Sequence, residues 1–133
     1  MVRRGWWFDS ARENQELQTM KQVILMRDDL NMRKGKMIAQ GAHASTKVIV
    51  ENREHPAVAE WLAGPFKKVV VRVSSEEELR EIIDRAAGSG LLTSLIVDAG
   101  LTEFNNTPTV TCGAVGPGKD EDVDPVTGHL KLL

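Results

Sequence analysis

Tyrosine is absent from this 133-residue chain, and aromatic residues together make up only 5% of it. Its core must therefore be aliphatic, and an RNA reader that stacks bases on a platform of exposed rings is excluded for want of rings. One cysteine, Cys112, leaves no internal disulfide and no cysteine-based metal spacing. That usage suits a cytoplasmic, reducing compartment. Long apolar runs are missing too, so no segment reads as a membrane span. Trp6, Trp7 and Phe8 give way at once to charged residues, too short a stretch for a secretory signal. Nor is there an excess of positive charge: 17 Lys and Arg against 19 Asp and Glu leave a net charge of −2. Any grip on nucleic acid must come from a local patch rather than from the overall field.

What is present fits one domain with a sizeable core, since 41% of the residues are hydrophobic. Residues 1–20 differ from the rest. WWFDSARENQELQT predicts a polar helix, with Asp9 or Ser10 as cap and Glu13 placed for a capping box. This segment reads as an N-terminal helical extension, with the compact domain spanning 21–133. KQVILMR (21–27) is a continuous apolar run, as expected of a strand covered on both faces. Residues 34–52 have helical spacing, with Ile38, Ala42, Ser45 and Ile49 on one face and Lys36, Gln40, His43 and Lys47 on another. A short helix is expected over 56–63, with Pro56 in its first turn. FKKVVVRV (66–73) reads as a second strand. Ser74 or Ser75 followed by three glutamates predicts a helix reaching about Ala87. TSLIVDAG (93–100) and TVTCGAV (109–115) complete the strands, and GPGK (116–119) reads as a turn. The alternation predicts an α/β fold, a three-layer α/β/α sandwich on about four strands. The last two strands have no helix between them, so the sheet should be mixed.

RKGKMIAQGAHAS (33–45) carries the densest chemistry. Lys34 and Lys36 stand in the first helical turn, where the helix dipole disfavours cations. A phosphate would gain from both lysines and from the free backbone N–H groups. A solvated basic turn fits the same spacing. His43, one turn beyond Gln40, suits a proton shuttle, a hydrogen-bonding support or a structural histidine. Asp98 closes a strand, where a carboxylate can act as a base, orient a lysine or cap the strand exit. Thr102 and Thr109 offer hydroxyls to water or phosphate, or serve as β-formers. No carboxylate or histidine spacing matches a metal site. Cys112, inside an apolar strand, should be buried rather than nucleophilic.

Five segments in this order, DLNMRKGKMIAQGAHAS, KKVVVRVSSEEEL, IVDAGLT, TVTCGAVGPG and VTGHLKLL, resemble the peptidyl-tRNA hydrolase 2 family from about Met20 onward. The resemblance implies a small, often dimeric α/β enzyme without a cofactor or metal. It would cleave the ester joining a peptide to the 3′ end of tRNA. Family active-site roles fall on Lys36, Asp98 and Thr109, and Gln40, His43 and Thr102 match residues that line the same cleft. One departure stands beside the site. The family usually reads DAG-Arg-Thr-Gln, and here Leu101 and Glu103 replace the cation and the amide, which should weaken phosphate attraction. Asp98 is expected to activate or orient water, Lys36 to stabilise the oxyanion, and Thr109 to position the water. Arg27, Arg33, Lys34, Lys47 and Lys119 are expected to bind the tRNA backbone. Two other readings share the scaffold: a non-catalytic RNA- or protein-binding domain, and a hydrolase of a different ester or amide.

Overall fold

A computed structural model describes residues 19–100 and 104–133. The helix expected within residues 1–20 lies outside the described residues, as does Thr102. Strand β1 (Met20–Arg27) leads into helix α1 (Lys34–Glu51) and helix α2 (Pro56–Ala63). Strand β2 (Lys68–Val73), helix α3 (Glu76–Gly88), and strands β3 (Thr93–Asp98) and β4 (Thr109–Lys119) follow, and helix α4 (Asp120–Thr127) comes last.

The sheet order is β2-β1-β4-β3. β1 and β2 are parallel, and β4 runs antiparallel to both β1 and β3. The sheet is therefore mixed, as the missing crossover helix predicted. β1, β2 and β3 all point the same way, so Arg27, Val73 and Asp98 end at one rim. Alternate residues of β1 serve opposite faces. Val23 and Leu25 join Val71, Val73, Leu79, Ile82, Ile83, Val123 and Val126 on the side of α3 and α4. Ile24 and Met26 join Ala44, Val48, Cys112 and Ala114 on the side of α1. Each Val, Leu, Ile or Met among them contributes about 1.5–3 kcal/mol on full burial, which is how so few aromatics suffice.

Local signals set the helix starts. Ser75 caps α3: its Oγ accepts from the Glu78 N–H at 3.0 Å, while Glu78 Oε1 accepts from the Ser74 N–H at 2.7 Å. Pro56 opens α2, capped by His55 Nδ1 accepting from the Ala57 N–H. Gln22, fully buried in β1, is satisfied on both sides. Its Nε2 donates to Gly116 O at 3.1 Å, and its Oε1 accepts from Ser45 Oγ at 2.6 Å.

One expectation needs correction, and two features went unread in the sequence. The face of α1 that packs on the sheet is Gln40, Gly41, Ala44, Ser45 and Val48. Ile38 and Ala42, which share a helix face with Ser45 and Ile49 by spacing, are exposed, with Ile38 at 74%. Small residues let the helix approach the sheet, so close packing rather than hydrophobicity fixes its rotation. GPGK is not a turn but the last stretch of β4, which pairs Gly118 with Lys21 and Lys119 with Met20. Pro117 sits where the ladder with β1 shifts register, so its missing N–H breaks no regular pair. The sequence reading also missed α4. Asp120, Glu121 and Asp122 favour its N-terminus, but Pro125 inside it reads as a breaker. Beyond α4, Leu132 bridges Val71 and covers part of the outer edge of β2.

Candidate active site

The start of α1 and the end of β3 meet at the rim where the parallel strands finish, and there Lys36 Nζ lies 2.8 Å from Asp98 Oδ1. Both side chains are largely withdrawn from solvent, at 15% and 13% exposure. Gln40 Nε2 also donates to Asp98 Oδ1 at 3.3 Å, and the Gly100 N–H donates to Oδ2 at 2.8 Å. An ionised carboxylate offers about four acceptor positions. Three are used here, which leaves one for a water or a substrate hydroxyl.

The Asp98 carboxyl is held below its ordinary range, chiefly by the hydrogen bond from Lys36. Partial desolvation opposes the shift, and the Gly100 N–H and the Lys36 charge reinforce it. Asp98 is thus a fixed anion and a weak base. Its geometry suits it to hold Lys36 and to orient a water more than to carry a proton away.

Behind this pair is a buried support. Gln40, 3% exposed, accepts at Oε1 from Thr111 Oγ1 at 2.5 Å, and its backbone carbonyl accepts from Cys112 Sγ at 3.2 Å. Adjacent residues of a regular strand cannot both face α1. They do so here because the β3–β4 register slips between Ile96 and Val97, which makes Thr111 the extra residue of a bulge. Sequence reasoning missed Thr111, since nothing in TVTC marks a bulge. It also missed Phe104, whose ring centroid lies 5.8 Å from Lys36 Nζ, and the Gly100 N–H. Cys112 is buried and its thiol is pushed up to about 11 by desolvation, as expected of a structural cysteine.

The other candidates are dispersed. Thr109 is the cross-strand partner of Asp98, but its hydroxyl donates to Thr107 O at 2.8 Å. His43 is exposed and makes no hydrogen bond to a described residue. Arg33 and Lys34 are exposed at the start of α1, whose first turn has no acid and no side-chain cap. Lys47 reaches Leu95 O at 3.3 Å. Lys119 is exposed at the end of β4, the opposite rim from Asp98. Arg27 is drawn inward: it bonds both carboxylate oxygens of Asp29 at 3.0 and 2.7 Å, donates to Val110 O at 2.9 Å, and lies 3.9 Å from Glu76. Its guanidinium ties β1 to β4 and is spent on that, so it is poorly placed to hold a phosphate. Among the described residues, no helix is long and apolar enough to cross a membrane.

The family described as peptidyl-tRNA hydrolase PTH2 matches residues 20–133 of the chain. Among curated relatives, a peptidyl-tRNA hydrolase of Methanocaldococcus jannaschii is 51% identical over 116 residues, covering 86% of this chain and all of the relative. One of Thermococcus onnurineus is 48% identical over 118 residues, covering 85% and 97% respectively. One of Metallosphaera sedula is 43% identical over 118 residues, covering 86% and 100%. With the matched region holding every described strand and helix and both members of the Lys36–Asp98 pair, the chain belongs to the peptidyl-tRNA hydrolase PTH2 family.

Proposed function

We propose that the protein hydrolyses the ester between a peptide and the 3′ end of tRNA, with the Lys36–Asp98 pair at the centre of the reaction. The observation that carries this is the 2.8 Å contact between two side chains 62 residues apart, buttressed by Gln40 and Gly100. Water held at the remaining acceptor position of Asp98 adds to the ester carbonyl. Lys36 stabilises the charge that develops on the carbonyl oxygen or on the departing ribose oxygen. One proton of the water restores the ribose hydroxyl of the departing tRNA, and the other is released to solvent as the peptide leaves as a carboxylate. Thr109, beside Asp98 on the neighbouring strand, has its hydroxyl oxygen available to accept from that water. Thr102 is assigned to the substrate by family position alone.

The start of α1 binds tRNA phosphate through Arg33, Lys34 and the backbone N–H groups of the first turn, a reading supported by the absence of acid among the residues of that turn. His43 and Lys47 extend the polar stripe. The site calls for no cofactor, and residues 1–20 act as an appendage to the hydrolase domain. Turnover of N-acetyl-peptidyl-tRNA by wild type, Lys36→Ala and Asp98→Ala tests the assignment. Full activity in both variants would sink it, and tight tRNA binding without hydrolysis by wild type would favour a binding domain instead.

The protein works as a homodimer in the cytoplasm on this reading. An apolar groove of about 650 Å³ separates α1 from β2, lined by Ile24, Met26, Met37, Ile38, Val70 and Leu133. Ile38, Val70 and Leu133 are exposed, an unpartnered apolar patch of the kind that marks association. Sedimentation of wild type and Ile38→Glu checks it: a wild-type protein that stays monomeric would refute this interface.

A further inference from the structure

β3 is an edge strand, paired with β4 on one side only. Residues of an antiparallel strand aim their backbone groups alternately toward the partner and away from it. The Ser94 carbonyl oxygen lies against Gly113 of β4, whereas the Leu95 carbonyl oxygen is met from outside by Lys47 Nζ. Leu95 therefore belongs to the outward set, together with Thr93 and Val97. No other described residue bonds their outward N–H and C=O groups. Val97 is 57% exposed, and the strand's next residue is Asp98.

We propose that the peptide part of the substrate docks on this edge as a fifth strand, parallel to β3. The inference rests on placing Lys36 and Asp98 at the reacting ester. The ester carbonyl belongs to the last residue of the peptide, so it lies at the Asp98 end of the edge. Preceding residues run back past Val97, Leu95 and Thr93, which makes the peptide's direction that of β3. Strand addition reads the backbone, so it grips peptides of any sequence, as a substrate pool of unfinished chains requires. The polar stripe of α1, with Lys36, His43 and Lys47, flanks the same edge. In the resting protein Lys47 occupies the Leu95 carbonyl and guards the edge against chance pairing. A peptide N–H takes its place on docking.

The test uses wild-type protein and tRNAs carrying N-acetylated peptides of increasing length, with kcat/KM as readout. Each added backbone hydrogen bond should raise kcat/KM by about two- to ten-fold. The gain should level off near six residues, roughly the span of Thr93–Asp98. Methylation of single peptide amides should be costly at every second position and tolerated between. Val97→Pro, which removes one outward N–H from an edge strand that accepts proline, should remove one step from the length series. A flat series in wild type, or equal sensitivity at adjacent amides, overturns the proposal. So does a Val97→Pro change that alters only the oligomeric state, which would assign the edge to a second copy. The site reading fails separately: it falls if Lys36→Ala keeps full turnover while the period-two pattern persists.

Discussion

Replacing Asp98 by asparagine keeps the shape of the site and removes its charge. Lys36 then faces an uncharged oxygen at 2.8 Å in a partly closed pocket. A charge-assisted hydrogen bond contributes about 1.5–3 kcal/mol. Expressed wholly in the transition state, that is about a ten- to 150-fold loss of rate. Asparagine brings a second penalty. Asp98 accepts from Lys36 and Gln40 on Oδ1 and from the Gly100 N–H on Oδ2. An amide has one acceptor oxygen, so either orientation sets its NH2 group against a donor. Leaving one of those donors unsatisfied costs about 1–3 kcal/mol, part of which falls on folding. The expected result is a kcat reduced roughly a hundred-fold or more, KM little changed, and a small drop in melting temperature. The assay is single-turnover hydrolysis of N-acetyl-peptidyl-tRNA, with Lys36→Ala and the double variant completing a cycle. Because the two groups act as a unit, the double variant should be no slower than the slower single. Asp98→Asn within threefold of wild type would refute the assignment.

The same pair fixes the acid limb of the pH profile. Asp98 is held below the usual carboxylate range, first by the hydrogen bond from Lys36. A depressed folded value means that the pair and its stabilisation are intact above the unfolded carboxyl value, about 3.9. They are lost as pH falls through the folded value. Rate should therefore hold from neutral pH down to about 5 and decline only in stronger acid, with circular dichroism separating this from unfolding. An acid limb centred near neutrality is incompatible with Asp98 as the controlling group.

Thr111→Val removes the donor to Gln40 Oε1 without changing volume, and should cost about 1–3 kcal/mol of stability because that oxygen is left buried and unpaired. If Gln40 positions Asp98, kcat should also fall several-fold at unchanged KM; a loss of stability alone would make Thr111 purely structural. Ser75→Ala should cost about 1 kcal/mol through the lost cap of α3, roughly 3–6 °C in a calorimetric scan, with activity unchanged. Arg33→Ala with Lys34→Ala should shallow the slope of log affinity for tRNA against log salt by about 1.4, if each contacts one phosphate of the single-stranded acceptor end. An unchanged slope would move the phosphate contacts elsewhere.

Much of this architecture is legible in the chain because its signals are local. Pro56, Ser75 with Glu78, and the apolar run at 21–27 each announce an element through near neighbours, and the structure follows them. Lys36 and Asp98 were legible one at a time, as a cation where the helix dipole disfavours it and a carboxylate at a strand end. That they share one site follows from the family resemblance, and their direct contact is made by a mixed sheet that brings the end of β3 to the start of α1. What stayed hidden were breaks in periodicity. A bulge at Thr111 turns two successive side chains toward Gln40, and the register shift beside Pro117 lets β4 continue where GPGK suggests a stop. Arg27 is a different case. An exposed arginine and one tied to Asp29 and Val110 look alike until the fold supplies the partners.

The rotation of α1 decides how these functions are partitioned. Its packing face is the small-residue stripe of Gly41, Ala44 and Ser45, which leaves two stripes roughly opposite each other. Lys36, Gln40, His43 and Lys47 turn toward β3, and Ile38, Ala42 and Thr46 turn toward the groove over β2. Had the apolar stripe faced the core, the polar stripe would have swung away from Asp98 and the site would not exist. Chemistry and association thus occupy different sides of one helix and should be separable. Ile38→Glu places a charge in the apolar groove and should convert a dimer to a monomer, while kcat/KM stays within about twofold because no contact of Asp98 changes. Lys36→Ala should do the reverse, silencing turnover and leaving the sedimentation coefficient alone. Loss of activity in step with dissociation of Ile38→Glu would show that the groove completes the active site, and the two-sided reading of α1 would fail.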